Sequence, residues 1–322
     1  MTPPATTEPR LQDKAIVKTI PLLPRGLVKR ISAPYIAGES LDEAIATVRA
    51  LAARGMGSTL DVLGEAISRR DEAIATRDAY LAAIEQMATL EEATPLVRNV
   101  SVKLTAVGLG IDDRLVHDNV AAIASAMAKI GGFVRIDMED SPYTDATLEL
   151  FRALRAEGHD NLGIVVQAYL KRTKADVEQL AAEGARVRVV KGIYVEPEAI
   201  AWRDMETINR NYVDLCRILA EAGCHAAYAT HDDVLITGCL DLVDKLGLSP
   251  EQYEFQMLLG VREGPRDDLV DQGHPMRVYV PFGAQWYEYS VRRLRENPRV
   301  AGHVARETIT SWRRLLSGGR TS

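Results

Sequence analysis

ARVRVVKG, residues 185–192, is a short β-branched run with three cations in it, Arg186, Arg188 and Lys191, and a glycine at its end. Its valines read as a largely buried strand. Working outward, runs of the same kind recur on both sides: MGSTLDVLG (56–64), NVSVKLTA (99–106), GFVRIDME (132–139), LGIVVQAY (162–169), HAAYATH (225–231), YEFQMLLG (253–260) and RVYVPFG (277–283). The stretches between them carry apolar residues three and four apart, as in LDEAIATVRALAARG (41–55), which ends in a C-cap glycine, and DNVAAIASAMAKIGG (118–132). That spacing is helical.

Strand and helix alternating eight times predicts an α/β protein, a distorted (βα)8 TIM barrel with an N-terminal helical arm. The competing doubly wound sheet usually carries an early glycine-rich phosphate turn. No GxGxxG is present, and GLG at 108–110 is too short to serve. The expected division is an arm over 1–34, a barrel catalytic domain over 35–303, and a C-terminal helix and tail over 304–322.

With 47% hydrophobic and 26% charged residues, the composition is that of a globular protein. A net charge of −6 gives no basic footprint, so nucleic acid is not an expected partner. Cys216, Cys224 and Cys239 show no CxxC spacing. Neither a disulfide framework nor a metal site is expected, and a reducing, cytoplasmic setting is. The opening MTPPATTEPRLQDK has no apolar core of a secretory signal, and no window suits a spanning helix. The basic, acid-free stretch AIVKTIPLLPRGLVKRI (15–31) has two readings: a packed helix or arm, and peripheral contact with the inner face of a membrane.

Barrel chemistry sits at the C-terminal ends of strands. Those ends offer Asp61 and Glu65, Lys103, Asp137 with Glu139 and Asp140, Gln167 and Tyr169, Arg188 and Lys191, Thr230 to Asp232, Gln256, and Tyr279. A cation in an apolar strand is costly unless paired. Singly, each reads equally well as part of an ion-pair network, Lys103 with Asp137 for example. As a set they read as a pocket for an anion. In YEYSVRRLRENP (287–298), Tyr289, Arg292, Arg293 and Glu296 share one helix face. Alone this is a solvated, ion-paired face. Beside the strand cations it is a clamp for carboxylate or phosphate, with Glu296 steadying an arginine.

These residues resemble the proline dehydrogenases, both the monofunctional bacterial enzymes and the matching domain of the bifunctional proline utilisation A proteins. YEYSVRRLRENP is similar to that family's helix-eight signature. VSVKLTAVG (101–109), RIDMED (135–140), VVQAYLKR (165–172), VRVVKGIY (187–194), YATHDD (228–233), YEFQMLLG and RVYVPFG follow in the family's order. YIAGESLDEA (35–44) and STLDVLGE (58–65) are similar to its entry region. The resemblance runs from about residue 30 to about residue 300.

The resemblance implies noncovalent FAD and oxidation of L-proline to Δ1-pyrroline-5-carboxylate, with hydride transfer to flavin N5. It also implies a quinone acceptor and a separate pyrroline-5-carboxylate (glutamate semialdehyde) dehydrogenase downstream. Carried over by position, Lys103, Arg292 and Arg293 grip the substrate carboxylate. Asp137, Tyr194, Leu258, Tyr279 and Tyr289 surround the proline ring. Arg188 supports charge near the flavin N5, and Gln167 bonds the flavin ring. Met138, Val190, Gly192, Ile193, Trp202, Thr230, His231, Gln256 and Glu296 join Asp137 and Arg293 as further cofactor contacts. The chain departs from the family pattern at Ile193, where alanine is common, and at Met205, where a lysine often stands.

Two rivals remain. One is a barrel lyase or aldolase forming a Schiff base on Lys191 or Lys103, with Arg188 as the cation that activates it. The other is a silent flavin or ligand sensor on the same scaffold. Within the class, Tyr289 crowds the position a hydroxyl would occupy, which favours proline over hydroxyproline.

Overall fold

The computed structural model describes residues 25–64, 67–90, 96–287 and 289–291. The chain enters through α1 (Arg25–Ser32) and α2 (Leu41–Ala52). There follow β1 (Gly57–Val62), α3 (Arg70–Ala88), β2 (Asn99–Val102), α4 (Asp113–Lys129), β3 (Phe133–Ile136), α5 (Thr144–Ala156), β4 (Leu162–Gln167) and α6 (Thr173–Ala182). The second half runs β5 (Arg186–Val190), α7 (Met205–Glu221), β6 (Ala226–Ala229), α8 (Asp233–Leu246), β7 (Tyr253–Leu258), α9 (Glu263–Asp271) and β8 (Met276–Phe282). Neighbouring strands are parallel and in chain order, and β8 closes on β1 with Val280 beside Leu60. The expected (βα)8 barrel is the observed fold. Of the expected arm over 1–34, residues 1–24 lie outside the described residues, as do 292–303 of the expected barrel domain and the whole expected tail over 304–322.

Local chemistry sets the boundaries. The strand expected over 99–106 stops at Val102 and passes into a 3-10 turn, Leu104–Ala106. Lys103 therefore leaves the ladder at the barrel mouth. The helix expected to begin at 118 begins at Asp113, because the Asp112 carboxylate accepts the Leu115 N–H at 3.0 Å and caps it. Ser40 and Glu43 form a reciprocal capping box that starts α2.

Strand side chains alternate between two faces. One face presents Leu60, Val100, Val134, Ile136, Ile164, Val187, Phe255 and Val278 to the helices, all fully buried. The other fills the barrel, and it is polar: Asp61, Ser101, Arg135, Gln167, Arg188, Glu254, Gln256 and Arg277 are each buried there.

At the floor, Arg277 Nε donates to both Glu254 oxygens at 3.0 Å, and its Nη1 donates to the carbonyls of Ser58 and Leu96 at 2.9 and 3.0 Å. Arg135 Nη1 donates to the carbonyls of Ile164 and Arg186 at 3.0 and 2.7 Å. Burial alone would raise the Glu254 carboxyl, but Arg277, with His225 and Gln256, brings it down to about 2. Burial among these arginines holds His225 down at about 4.

Candidate active site

At the C-terminal ends of the strands lies a cavity of about 630 Å³. From β2 to β5 and the loop that follows, it is lined by Lys103, Asp137, Met138, Gln167, Arg188, Val190, Gly192, Ile193 and Tyr194. The opposite wall includes Thr230, His231, Gln256, Leu258, Tyr279 and Tyr289. Residues singled out at the C-terminal ends of seven strands thus face one space. Tyr289 also packs against Ile36 and Leu63, which joins its segment to the chain entry.

The cations at this mouth are paired, though not as expected. Lys103 does not pair with Asp137. Its Nζ lies 2.7 Å from Asp61 Oδ2 and 3.2 Å from Tyr279 Oη. Asp137 belongs instead to Arg188, whose Nη1 donates to Asp137 Oδ1 at 2.6 Å and to Ser101 Oγ at 3.0 Å. Ser101 Oγ donates to the same carboxylate oxygen at 2.7 Å, and Tyr279 Oη donates to the other at 2.8 Å. The Arg188 guanidinium lies 5.5 Å from the Tyr279 ring centre. Burial, with Asp137 and Asp61 beside it, raises the Tyr279 phenol well above its ordinary range.

Two further devices shape the wall. Glu139 accepts the Thr105 N–H at 2.9 Å and the Thr105 hydroxyl, fixing the turn that carries Lys103. Burial raises the Glu139 carboxyl against those bonds. Gln167 Nε2 donates to the Glu139 carbonyl at 2.9 Å, which, among the described residues, leaves its amide oxygen available. At the rim Lys191 pairs with Asp232, which also caps α8 by accepting the Val234 N–H at 2.9 Å. Burial raises Asp232, but Lys191 and that N–H together lower it. His231 Nε2 accepts the Leu258 N–H at 2.9 Å, a role that requires the Nδ1–H tautomer. Gly192 has φ 112°, and a Cβ there would lie 2.1 Å from the Tyr169 ring, so only glycine fits this turn.

Trp202 does not line the cavity. It is 40% exposed, with Lys171 Nζ 4.9 Å from its ring centre. The backbone explains this placement: Leu170 and Ala201 form an isolated bridge, and Trp202 N–H donates to the Tyr169 carbonyl at 2.7 Å. The next side chain is thereby turned to the outside. Arg292, Arg293 and Glu296, with Glu65, lie outside the described residues. Sequence reading assigned no role to Ser101, although its spacing from Lys103 on an alternating strand points it into the barrel.

The lysines lack the setting a Schiff-base reading requires. Each meets a carboxylate, and Arg188, the cation that would activate one of them, is bound to Asp137.

Residues 44–306 match the family model described as proline dehydrogenase. The chain is 36% identical over 263 residues to proline dehydrogenase 2 of Bacillus subtilis (strain 168), covering 82% of this chain and 85% of that one. It is 36% identical over 274 residues to the proline dehydrogenase of Deinococcus radiodurans, covering 84% and 87%. Among solved structures, proline utilization A from Bdellovibrio bacteriovorus, inactivated by N-propargylglycine, superposes with a TM-score of 0.80 at 28% identity. That match covers 89% of this chain but 37% of the larger protein.

Proposed function

The chain belongs to the proline dehydrogenase family, oxidoreductases acting on a CH–NH bond at the first step of proline catabolism, and on that premise we propose that it oxidises L-proline to Δ1-pyrroline-5-carboxylate with bound FAD, in a catalytic domain spanning 35–303. Arg188 is the observation that carries the reading. Its guanidinium is buried and lines the cavity, yet among the described residues Nε and Nη2 have no hydrogen-bond partner. A desolvated, half-used arginine fork calls for an acceptor-rich ligand. A flavin ring meets that need, and the cavity has the size of a cofactor or small-ligand site.

When bound, FAD supplies a two-electron oxidant whose N5 accepts the hydride from the proline ring carbon beside nitrogen. The chain's own residues do the rest. Arg188 supports negative charge at the flavin, and the free amide oxygen of Gln167 can accept from it. Val190, Gly192, Ile193, Thr230, His231 and Gln256 hold the remainder of the cofactor. Lys103 grips the substrate carboxylate, with Arg292 and Arg293 assigned to it from sequence. Tyr194, Leu258, Tyr279 and Tyr289 wall the methylenes and exclude water. The reaction needs the substrate fixed against a planar ring, and two clamped ends achieve that without an acid–base triad. Electrons then pass to a quinone, which would bring the protein to the inner face of a membrane from the cytoplasm. A separate pyrroline-5-carboxylate dehydrogenase consumes the product. Among the described residues no helix is long and apolar enough to cross a membrane.

The test is an absorption spectrum of the purified protein before and after L-proline is added without oxygen. A flavin band that bleaches supports cofactor, substrate and direction together. A flavin band indifferent to proline overturns the substrate, and no flavin uptake from added FAD overturns the cofactor.

A further inference from the structure

Lys103 does not act on the cavity alone. Behind it, outside the cavity lining, stands Asp61 of β1, which has no exposed surface. Asp61 Oδ2 accepts from Lys103 Nζ at 2.7 Å. Its Oδ1 lies 3.5 Å from the Tyr80 hydroxyl of α3. That hydroxyl is itself fixed, donating to the Ser101 carbonyl at 2.6 Å and accepting the Val62 N–H at 3.3 Å. The carboxylate is walled in and cannot turn away from the lysine. A buried ion pair gives little net stability over apolar residues of the same shape. What this pair does provide is a charge held in one place.

We propose that Asp61 is the positioning residue that keeps Lys103 charged and aimed into the cavity, so that the carboxylate-binding cation is a device of two strands. The inference rests on the proline reading of that cavity. Among the described residues, the groups around Lys103 are Asp61 from β1, Asp137 and Glu139 from the end of β3, Tyr279 from β8 and Arg188 from β5, with Tyr80 behind Asp61. Among the described carboxylates, Asp61 contacts Nζ at 2.7 Å, whereas Asp137 is engaged by Arg188, Ser101 and Tyr279.

Asp61→Asn keeps the shape and removes the charge. Lys103 then sits buried without the carboxylate it meets at 2.7 Å, so its charged form is less favoured than in the native protein. The probe is cyclopentanecarboxylate, which has the proline shape but no C–N bond to oxidise, titrated calorimetrically into the protein as isolated. Binding to the native protein should be level between about pH 6 and 9, while the variant should bind about tenfold more weakly at the upper end. Melting temperature gives a second readout that needs no ligand. A lysine whose folded pKa is below its unfolded one costs stability as pH falls. Asp61→Asn should therefore melt lower at acid pH than at alkaline pH, and Asp61→Asn with Lys103→Met should lose that slope.

Profiles parallel to the native ones in both readouts overturn the proposal. If Asp61→Asn fails to fold while the neutral double variant folds, the lysine charge without Asp61 is the cause and the proposal stands. If neither folds, Asp61 serves the fold and the proposal fails. A native protein that binds no cyclopentanecarboxylate defeats the proline reading instead, and the melting profiles still decide the coupling.

Discussion

The floor and the mouth of the barrel are built from the same strands, two residues apart, and they treat charge differently. On β8 the floor has Arg277 and the mouth Tyr279; on β7 they have Glu254 and Gln256; on β3, Arg135 and Asp137. Arg277 is engaged by a carboxylate and two carbonyls. Arg188 at the mouth is engaged through Nη1, while Nε and Nη2 have no hydrogen-bond partner among the described residues. Both are buried. The closed Arg277–Glu254 pair holds the fold, whereas an arginine left partly open at a cavity holds a place for a ligand. An arginine at the end of a barrel strand is thus structural or functional according to where its remaining N–H groups point.

The comparison can be broken at its strongest point. Arg277→Met strands the Glu254 carboxylate in the floor and should cost about 3–5 kcal/mol in urea unfolding. Adding Glu254→Gln should recover most of that loss. If Arg277→Met is as stable as the native protein, the floor is not the structural cluster.

At the mouth the loss should appear in the reaction. Arg188→Gln should lower kcat/KM by about a hundredfold or more, roughly 3 kcal/mol, while stability changes less than for Arg277→Met. Comparable unfolding losses with intact turnover would erase the distinction.

The floor also predicts a pH dependence. His225 has a folded pKa of about 4, below its ordinary value, so it contributes stability at neutral pH that is lost as pH falls through about 6.5 toward 4. By the same rule Glu254, lowered to about 2, contributes stability that is lost below its ordinary carboxyl range. His225→Gln should flatten the first part of the acid melting curve, by about 3 kcal/mol at most. An unchanged slope would show that the imidazole is not held neutral.

The smallest effect is expected outside both clusters. Trp202→Ala should cost about 0.5–1 kcal/mol through the lost Lys171 contact and leave flavin content and turnover as they were. Loss of flavin would return Trp202 to the site.

Much of this was legible in the chain. ARVRVVKG and its seven counterparts carry their strand character in β-branched residues, and their order implies the barrel. Strand alternation then carries the polar residues to one end. What could not be read was partnership. Lys103 and Asp61 are 42 positions apart, Arg188 and Asp137 are 51, and their pairing depends on strand stagger and on which side chains meet across the lumen. That Trp202 lies off the cavity lining was hidden for a similar reason: a backbone bridge between two loops decides its direction, and no local pattern marks such a bridge. By itself the sequence determined the fold, the family resemblance and which residues crowd the barrel mouth, because periodicity and residue type are local. Only the tertiary structure decided which cation meets which carboxylate and which donor is left unpaired, because those depend on distances across the barrel.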